Sequence, residues 1–441
     1  MKYSKFNVII EGEGYDEYIL FNTLTGHSVM IDSITKKMIE QNNIFDLDLD
    51  TQELFQNFSI TVNENIDENR YFSYFHNKQK FSVGTVSSTI LLTWACNLKC
   101  TYCYEGAGLT RNATLNEKTA DNFIKFIQNE AETKNADTIS INLFGGEPLL
   151  KIDMGFYILE KLNNYCIEKN KSLVTSIITN GTLITEEILT KLEFYNCKMI
   201  QITLDGTKDI HDNRRMYKNG KGSFDEVLSG IKLASARSLK PVIRINVDKT
   251  NLYETYQLLE VLSKEGLSEC HIDFGIVRGS TAACSSYSGH CFSEEELGDT
   301  LEQLWDVAGS HGFHMSTKPF RKWMYCGLYG DSSYTVAPNG QVYKCWEHVG
   351  EEEHMIGRLD EEGALSDLRY AFYDWMSRNP LETADCKECV YLPACGGGCG
   401  VVSFNEHGSY HESGCFKTRG VLEKQVKRFF QKKTNEVPVE T

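Results

Sequence analysis

Residues 91–105 read Leu-Leu-Thr-Trp-Ala-Cys-Asn-Leu-Lys-Cys-Thr-Tyr-Cys-Tyr-Glu, and they decide how the rest of the chain is interpreted. An apolar, strand-like run leads directly into Cys96, Cys100 and Cys103, whose spacing is Cys-x3-Cys-x2-Cys. Three thiolates can hold three irons of a four-iron cluster, whereas four cysteines would close every iron. The open iron can chelate a small molecule through amino and carboxylate groups. The stretch therefore predicts an iron–sulfur cluster that also binds a small ligand.

A zinc site is the alternative for these three thiols. Zinc in proteins usually takes four ligands at paired spacings, and no further Cys or His follows closely after Cys103. The spacing of the cysteines therefore favours an iron–sulfur cluster over zinc.

The three cysteines, followed by Tyr104 at the end of a first strand, resemble the signature of the radical S-adenosylmethionine (SAM) enzymes. In that family the cluster reduces the sulfonium of SAM and releases a 5′-deoxyadenosyl radical. The resemblance implies SAM as a cofactor, bound at the open iron of a [4Fe-4S] cluster that Cys96, Cys100 and Cys103 hold.

From residue 87 to about residue 310, strand-like and helical patterns alternate six times. The predicted strands are 89–94, 138–144, 173–179, 198–204, 241–247 and 270–276. The predicted helices are 115–134, 153–170, 186–195, 224–238, 252–265 and 294–310. Such alternation predicts an α/β fold with a parallel sheet, and six units fit an open, partial (β/α)6 barrel. Residues 86–310 are the predicted radical SAM core, with its site at the carboxyl ends of the strands.

Three of these helices begin with a capping-box pattern, in which a hydroxyl and a carboxylate satisfy the first free backbone amides. The patterns are Thr114-x-x-Glu117, Ser223-x-x-Glu226 and Ser293-x-x-Glu296. We expect each hydroxyl to cap its helix.

A Gly-Gly-Glu-Pro motif at residues 145–148 ends the second predicted strand. Glycine lets the backbone approach a ligand closely, where a Cβ would clash. Alone, Gly-Gly-x-Pro is an ordinary turn. Beside the cysteine triad it resembles the motif that holds the SAM amino group in the family, which implies binding through Gly145 and Gly146 with Glu147 in support.

Three more SAM contacts are implied by the family pattern at later strand ends. Thr203 is expected at the ribose and Arg215 at the carboxylate, for which a guanidinium fork is well suited. Ile276 is expected to pack on the adenine, although an apolar residue in a strand is equally typical of the core.

Seven further cysteines lie between residues 326 and 415, namely Cys326, Cys345, Cys386, Cys389, Cys395, Cys399 and Cys415. A zinc ribbon would explain the paired spacings but would leave Cys326, Cys345 and Cys415 without a role. The set resembles the SPASM extension of radical SAM enzymes, in which seven cysteines bind two auxiliary four-iron clusters. Residues 311–425 are the predicted SPASM domain, and residues 426–441 follow it as a C-terminal tail.

The resemblance also implies how these cysteines divide between the two auxiliary clusters. The distal cluster would be held by Cys386, Cys389, Cys395 and Cys415. The proximal cluster would have three ligands, Cys326, Cys345 and Cys399. Phe320 stands where some members of the family carry a further cysteine, which leaves room for an open iron. The chain is thus expected to hold three [4Fe-4S] clusters.

The other cysteines have simpler expected roles. Cys166, Cys197 and Cys270 lie in helical or strand patterns, where free cysteine behaves as a small hydrophobe, and we expect them in the core. Cys284 and Cys291 lie in a polar loop after the sixth strand, where a redox or ligand role is the alternative to none.

Residues 1–85 form a separate predicted module with strands at 6–11, 18–23 and 27–31, a helix at 33–40 and a polar stretch at 46–61. Three strands with helices before a catalytic domain resemble the winged-helix-like module that captures leader peptides in enzymes modifying ribosomally made peptides. There an exposed strand edge would add the leader as a further strand. A plain N-terminal extension is the alternative.

Composition bounds the function and the location. Lys plus Arg number 45 against 61 for Asp plus Glu, and the net charge of −16 over 441 residues disfavours nucleic acid and anionic membranes as partners. The start of the chain lacks the apolar segment of a signal peptide, so we expect a cytoplasmic protein. Fifteen cysteines in a reducing compartment indicate metal ligands rather than disulfides.

The residues beside Cys345 distinguish two kinds of SPASM enzyme. Sulfatase-maturing members resemble Pro-Cys-Asp there, with the aspartate as general base, but this chain reads Lys344-Cys-Trp-Glu-His348. Trp346 removes a base at that position. The sequence instead resembles maturases that install cysteine thioether cross-links in a precursor peptide, giving a sactipeptide or ranthipeptide.

The resemblance implies a leader-bearing, cysteine-rich precursor peptide as substrate and a ferredoxin or flavodoxin as reductant. It names no catalytic base. Carbon–carbon cross-linking, epimerisation and oxidation of the sulfatase-maturase type are the alternatives within the family. An electron-transfer protein that never cleaves SAM is the alternative outside enzymes.

Overall fold

The computed structural model describes residues 1–103, 113–239, 241–279 and 287–436, and side chains as far as residue 430. Tyr104 and Cys284 lie outside the described residues. No helix in these ranges is both long and apolar enough to cross a membrane.

The first eighty residues form a small unit of strands and helices. Its elements are β1 (Lys2–Tyr3), β2 (Asn7–Glu11), β3 (Tyr18–Asn22), β4 (Ser28–Ile31), α1 (Ser33–Glu40), α2 (Leu49–Asn57), β5 (Thr61–Val62) and α3 (Glu68–Lys80). β2, β3 and β4 make an antiparallel sheet with β3 in the centre, and β1 pairs with β5. The three predicted strands and the first helix are confirmed.

The sequence patterns missed α2 and α3 in this unit. The buried face of α3 includes His76 and Lys80, so its apolar periodicity is weak. The stronger signals are the aspartates before each helix. Asp48 accepts a hydrogen bond from the Thr51 amide, and Asp67 accepts from the amides of Asn69 and Arg70.

Six parallel strands form the core of the next segment, as predicted. The elements are β6 (Thr85–Leu91), β7 (Leu98–Cys100), α4 (Glu117–Thr133), β8 (Thr138–Phe144), α5 (Ile152–Glu168), β9 (Ser172–Thr179), α6 (Glu186–Phe194), β10 (Cys197–Thr203), α7 (Lys208–Arg214), β11 (Arg215–Tyr217), α8 (Phe224–Ser235), β12 (Val242–Val247), α9 (Leu252–Lys264), β13 (His271–Ile276) and α10 (Glu294–Ser310). β6, β8, β9, β10, β12 and β13 are neighbours in chain order and all parallel. In β8, burial alternates along the strand, because one face packs on the helices and the other faces the barrel interior.

Only one of the three expected capping boxes exists. Ser293 and Glu296 form the reciprocal box at α10. At α4 the cap is Asn116, whose side chain accepts from the Thr119 amide. At α8 the Ser223 hydroxyl donates instead to the Arg215 carbonyl, and Asp212 accepts from the first amides of the helix. A side chain from α7 thus replaces the local cap.

The C-terminal region continues the sheet of the barrel. Its elements are β14 (Ser333–Val336), β15 (Gln341–Tyr343), β16 (Gly357–Leu359), β17 (Leu365–Ser366), α11 (Tyr370–Ser377), α12 (Ala384–Lys387), α13 (Leu392–Cys395), α14 (Gly400–His407) and α15 (Val421–Glu436). β14 pairs in parallel with β6, and β15 to β17 extend the sheet to ten strands. α15 begins at residue 421 and passes residue 426, where the tail was predicted to begin.

Candidate functional site

A cavity of about 580 Å³ opens at the carboxyl ends of the parallel strands. Its lining brings together most of the residues that the family pattern implies for the first cluster and for SAM, namely Cys96, Cys100, Cys103, Gly145, Gly146, Thr203, Arg215 and Ile276. Glu147 does not line this cavity. One site thus collects residues from five separate elements of the chain.

A short two-stranded sheet positions Arg215 beside the cysteine loop. β7 and β11 are antiparallel, and Arg215 lies directly opposite Cys100 in the register. The Thr101 amide donates a hydrogen bond to the Arg214 carbonyl at 3.0 Å. The predicted cluster ligand and the predicted carboxylate ligand are therefore held on neighbouring strands, although they are far apart in sequence.

The glycines of the Gly-Gly-Glu-Pro turn allow it to pack against the cysteine loop. Gly145 has a φ of +138°, and a Cβ there would lie 2.3 Å from the Thr93 oxygen. The Gly146 amide donates to the Thr93 carbonyl, and the Glu147 amide donates to the Ala95 carbonyl, both at 2.9 Å. A side chain at Gly145 would force the turn away from the loop that carries Cys96.

Glu147 lies behind the cavity wall and is fully buried. Its carboxylate accepts hydrogen bonds from the Thr179 hydroxyl and the Asn180 amide, both at 2.7 Å, and from the Leu149 amide at 3.0 Å. Burial raises the pKa of Glu147, and the three hydrogen bonds oppose that rise. Glu147 therefore ties the turn to the end of β9.

Tyr102 and Asp205 form a network with Arg215 that the sequence did not indicate. Arg215 Nη1 donates to the Tyr102 hydroxyl at 2.7 Å, and that hydroxyl donates to the Asp205 carboxylate. Asn246 also donates to the Tyr102 hydroxyl, at 3.2 Å. The Arg215 Nε is buried and has no hydrogen-bond partner among the described residues. The network fixes the guanidinium at the wall of the cavity.

The donor chemistry of the triad fits a metal cluster. Burial raises the pKa of Cys96 to about 12, and burial also raises the pKa of Cys100. A neutral buried thiol becomes a thiolate when a metal binds it, because coordination replaces the proton.

The far wall of the cavity comes from the C-terminal region. Trp346 and Glu347 line it, and Glu347 lies next to the residues that follow β13. Arg278 Nη2 donates to a Glu347 carboxylate oxygen at 2.6 Å. The ion pair places a carboxylate at the cavity one residue beyond Trp346, the position at which the sequence lacks the acid of the sulfatase-maturing pattern. Its partner lies 69 residues away, so no local pattern could have revealed it.

Four of the C-terminal cysteines surround a second, smaller cavity. They are Cys386, Cys389, Cys395 and Cys415, the set that the resemblance implies for a distal cluster. Gly396, Gly397 and Gly398 all have positive φ, which turns the chain sharply between Cys395 and Cys399. Cys399 does not line this cavity.

The remaining three C-terminal cysteines are Cys326, Cys345 and Cys399, and the other two raise the pKa of Cys345. Burial raises the pKa of Cys345, and Glu347, Cys326 and Cys399 raise it further. Phe320 is 57% exposed and offers no ligand atom.

The core cysteines are as expected, and Cys291 is half-buried. Cys166, Cys197 and Cys270 are buried, which confirms their predicted place in the core. The Cys291 thiol donates to the Tyr287 carbonyl at 3.7 Å.

Comparisons with known proteins identify the barrel. Residues 90–262 match the model of the Radical SAM superfamily. The cysteine-type anaerobic sulfatase-maturating enzyme of Clostridium novyi is 26% identical over 338 residues, which are 69% of this chain and 84% of that protein. The mycofactocin maturase MftC of Mycolicibacterium smegmatis is 25% identical over 325 residues, which are 71% of this chain and 77% of that protein.

Solved structures share the fold at low sequence identity. The enzyme anSMEcpe with bound AdoMet matches with a TM-score of 0.59 and 19% sequence identity. The match covers 80% of this chain and 100% of the anSMEcpe chain. Streptococcus suis SuiB bound to precursor peptide SuiA matches with a TM-score of 0.53 and 16% sequence identity. The match covers 95% of this chain and 99% of the SuiB chain. The strand order, the cysteine triad and the family match agree: residues 90–262 are a radical SAM domain, and the chain is a radical SAM enzyme.

Proposed function

We propose that the enzyme cleaves SAM reductively and installs cysteine thioether cross-links in a ribosomally synthesised precursor peptide. The observation that carries this proposal is the single cavity in which the cysteine triad, the glycine turn and Arg215 face Trp346 and Glu347. Such a cavity suits a nucleotide cofactor on one side and a peptide segment on the other.

The residues of the cavity match the polar groups of SAM. Cys96, Cys100 and Cys103 hold the [4Fe-4S] cluster. The amides of Gly146 and Glu147 are already used by Thr93 and Ala95, so the turn offers carbonyl oxygens, which accept from a charged amino group. The Arg215 fork takes the carboxylate, with Thr203 at the ribose and Ile276 at the adenine. The pocket thereby offers a partner for each of four groups of one ligand.

The N-terminal unit supplies a place for the leader of the peptide. A groove of about 360 Å³ runs beside the edge strand β4 and is lined by Met30, Leu54 and Phe55, among others. In an antiparallel sheet, directly opposed residues alternate between pairs that exchange hydrogen bonds and pairs that do not. Because Asn22 bonds to His27, the pair of Ile19 and Met30 is of the second kind, and the Met30 amide points away from β3. A leader strand can therefore add along β4.

Two auxiliary [4Fe-4S] clusters complete the proposed cofactors. Cys386, Cys389, Cys395 and Cys415 hold the distal cluster, and Cys326, Cys345 and Cys399 hold the proximal one. The first cluster and SAM together supply a 5′-deoxyadenosyl radical, and the auxiliary clusters supply an electron acceptor.

A thioether link replaces one acceptor C–H bond and one peptide S–H bond by a C–S bond. The hydrogen atom of the C–H bond goes to the 5′-deoxyadenosyl group, the thiol proton goes to a base, and the remaining electron leaves to the acceptor. Glu347 is the carboxylate placed to receive the thiol proton, and its ion pair with Arg278 fixes the direction in which it points. The peptide becomes lighter by two hydrogens for each link.

Oxidation of the sulfatase-maturase type is the second candidate, and the identity with the Clostridium novyi enzyme favours it. Trp346 opposes it, because an indole in the cavity wall cannot act as a base. The N-terminal unit favours a leader-bearing peptide as substrate. Ferredoxin or flavodoxin is the proposed reductant, and the cytoplasm is the proposed location.

The test is anaerobic incubation of the reconstituted enzyme with SAM, a flavodoxin reductant and a leader-bearing, cysteine-rich precursor peptide. We expect 5′-deoxyadenosine and a peptide that is lighter by two hydrogens per link and resists thiol alkylation. A peptide of unchanged mass with inverted centres would identify an epimerase, and a lighter peptide whose thiols remain alkylable would identify a carbon–carbon cross-link. A product that reacts with a carbonyl-specific probe, because it contains an aldehyde, would identify oxidation of the sulfatase-maturase type.

A further inference from the structure

The sulfur of Cys96 receives two N–H groups from the chain itself. The Leu98 backbone amide donates to Cys96 Sγ at 3.4 Å, and the Asn180 side-chain amide donates to the same atom at 3.8 Å. Leu98 begins β7, two residues after Cys96, whereas Asn180 follows directly after β9. Asn180 is 5% exposed, and its backbone amide donates to the Glu147 carboxylate at 2.7 Å. The end of β9 thus brings a side-chain donor to a predicted cluster ligand.

A closed ring of hydrogen bonds fixes which end of the Asn180 side chain faces the sulfur. Asn180 Nδ2 donates to Asn97 Oδ1 at 2.8 Å, and Asn97 Nδ2 donates to the Thr182 hydroxyl at 2.8 Å. The Thr182 hydroxyl donates to Asn180 Oδ1 at 2.7 Å, and the Thr182 amide donates to the same oxygen at 3.0 Å. Reversing the Asn180 side chain would place its NH2 group against the Thr182 amide, which is itself a donor. The ring therefore keeps the Asn180 nitrogen on the side of Cys96.

The ring leaves one donor of Asn180 for the sulfur. A side-chain amide nitrogen carries two N–H groups, and the ring uses one of them for the bond to Asn97. As a thiol, Cys96 can itself donate, and its sulfur lies 3.9 Å from Asn97 Oδ1. Metal binding removes the thiol proton, so the sulfur then only accepts. The N–H groups of Leu98 and Asn180 would therefore both act on a thiolate.

We propose that Asn180 raises the reduction potential of the first cluster by donating a hydrogen bond to the Cys96 thiolate. Uptake of one electron from the flavodoxin reductant adds negative charge to an iron–sulfur cluster, and hydrogen bonds to its sulfur ligands stabilise that charge. Asn180 acts through Cys96, so it is a positioning residue. The inference rests on a cluster at the cysteine triad. It goes beyond the proposed function, because it holds for any peptide that the enzyme modifies.

The test is a redox titration of the reconstituted full-length protein, followed by EPR without oxygen. The signal of the first cluster is the one that is absent from a variant with Cys96→Ala, Cys100→Ala and Cys103→Ala. Asn180→Leu keeps a side chain of similar size and removes the donor. At a fixed solution potential we expect its ratio of reduced to oxidised first cluster to fall about tenfold, which is about 59 mV for a one-electron couple. The auxiliary clusters in the same sample should keep their potentials.

Thr182→Val is the matched control, because it opens the hydrogen-bond ring without removing the Asn180 donor. The Thr182 backbone amide still donates to Asn180 Oδ1 in this variant. Its ratio of reduced to oxidised first cluster should stay close to that of the natural chain. A fall as large as that of Asn180→Leu would assign the effect to the ring as a whole and overturn the proposal. An unchanged ratio in Asn180→Leu would overturn it as well.

Release of 5′-deoxyadenosine without peptide supplies the second readout, which separates a lower potential from a misplaced cofactor. With flavodoxin, Asn180→Leu should release it more slowly than the natural chain. An excess of the stronger reductant titanium(III) citrate should restore at least the natural rate, because the cluster is then reduced in both proteins. A slow rate with both reductants would overturn the proposal. Equal iron content shows that the variants hold their clusters, and Asn180→Ala decides the matter if Asn180→Leu binds less iron.

Discussion

A buried guanidinium is stable only when its hydrogen-bond donors find acceptors, and Arg215 leaves its Nε without one. Tyr102 and Asp205 hold the rest of the side chain in place. Arg215 also lines the cavity, where a ligand carboxylate would form a charge-assisted pair with its guanidinium. Arg215 is thus the residue on which SAM affinity is expected to depend most directly.

Arg215→Lys keeps the charge and removes the planar fork. We expect the dissociation constant for SAM to rise about 10- to 100-fold, since hydrogen bonds to charged groups contribute about 1.5–3 kcal/mol. Equilibrium binding of SAM to the reconstituted enzyme measures this change. Arg358→Lys, at an exposed position, is the matched control and should bind as the natural chain does. Equal affinity in both variants would remove Arg215 from the SAM site.

Glu347→Gln separates SAM cleavage from cross-linking. Loss of the proton acceptor should lower thioether formation about 100-fold, the scale of general base catalysis, while 5′-deoxyadenosine release continues. The measurement is the ratio of cross-linked peptide to 5′-deoxyadenosine. Glu361→Gln, an exposed change outside the cavity, should leave the ratio unchanged. An unchanged ratio in Glu347→Gln would exclude this carboxylate as the base.

His211 gives the fold a dependence on pH. Burial lowers its pKa well below the ordinary value, and Arg215 and Arg214 lower it further. The ring is neutral when folded, with its Nδ1 accepting from the Asp205 amide at 3.1 Å. The unfolded chain therefore binds the extra proton first, and stability falls as the pH drops below about 6.5.

Replacing His211 by asparagine keeps an acceptor near the position of Nδ1 and removes the titration. Urea midpoints at pH 7.5 and pH 5.5 should differ less in His211→Asn than in the natural chain. His27→Asn, at an exposed histidine, should keep the full difference. An identical loss of stability at low pH in all three proteins would contradict the buried neutral state of His211.

Motifs predicted the residues of the site more completely than the contacts among them. The family resemblance implied the triad, the glycine turn, Thr203, Arg215 and Ile276, and the structure brings them to one cavity. Arg278 and Glu347 could not be predicted, since their pairing depends on how the C-terminal region folds over the barrel. The hydrogen bond from Asn246 to Tyr102 likewise joins residues 144 positions apart.

Single elements were predicted well where their faces differ in polarity. β8 coincides with its predicted bounds because every second residue is buried. α7 and β11 were missed, since together they span only ten residues and contain three arginine or histidine side chains that are buried. β11 pairs with β7, which lies far from it in the sequence, so no local pattern predicts that pairing.

The edge of β4 is the element on which peptide capture is expected to depend. Met30→Pro removes an amide that points away from β3, so it should leave the three-stranded sheet intact and weaken leader binding about tenfold or more. Binding of a labelled leader peptide to the full chain measures the effect. Met30→Ala removes the same side chain from the groove but keeps the amide, so it should bind the leader more tightly than Met30→Pro does. Equal binding by both variants would place the leader elsewhere.

At the scale of the whole molecule, the cysteine-rich region is an extension of the barrel. β14 joins β6 in parallel, directly before the cysteine loop that starts the radical SAM motif. This continuity brings Trp346 and Glu347 to the mouth of the barrel. The sequence could predict the two cysteine sets but not their placement. Nothing in the sequence of β14 indicates that it pairs with β6.

The central claim is that Cys96, Cys100 and Cys103 hold the cluster that splits SAM. The most direct test reconstitutes the natural chain and a variant with all three changed to alanine, without oxygen, and measures iron and 5′-deoxyadenosine. Three four-iron clusters predict about twelve irons per natural chain, and about eight with no 5′-deoxyadenosine in the variant. Zinc in place of iron in the natural chain, or 5′-deoxyadenosine from the variant, would contradict the claim.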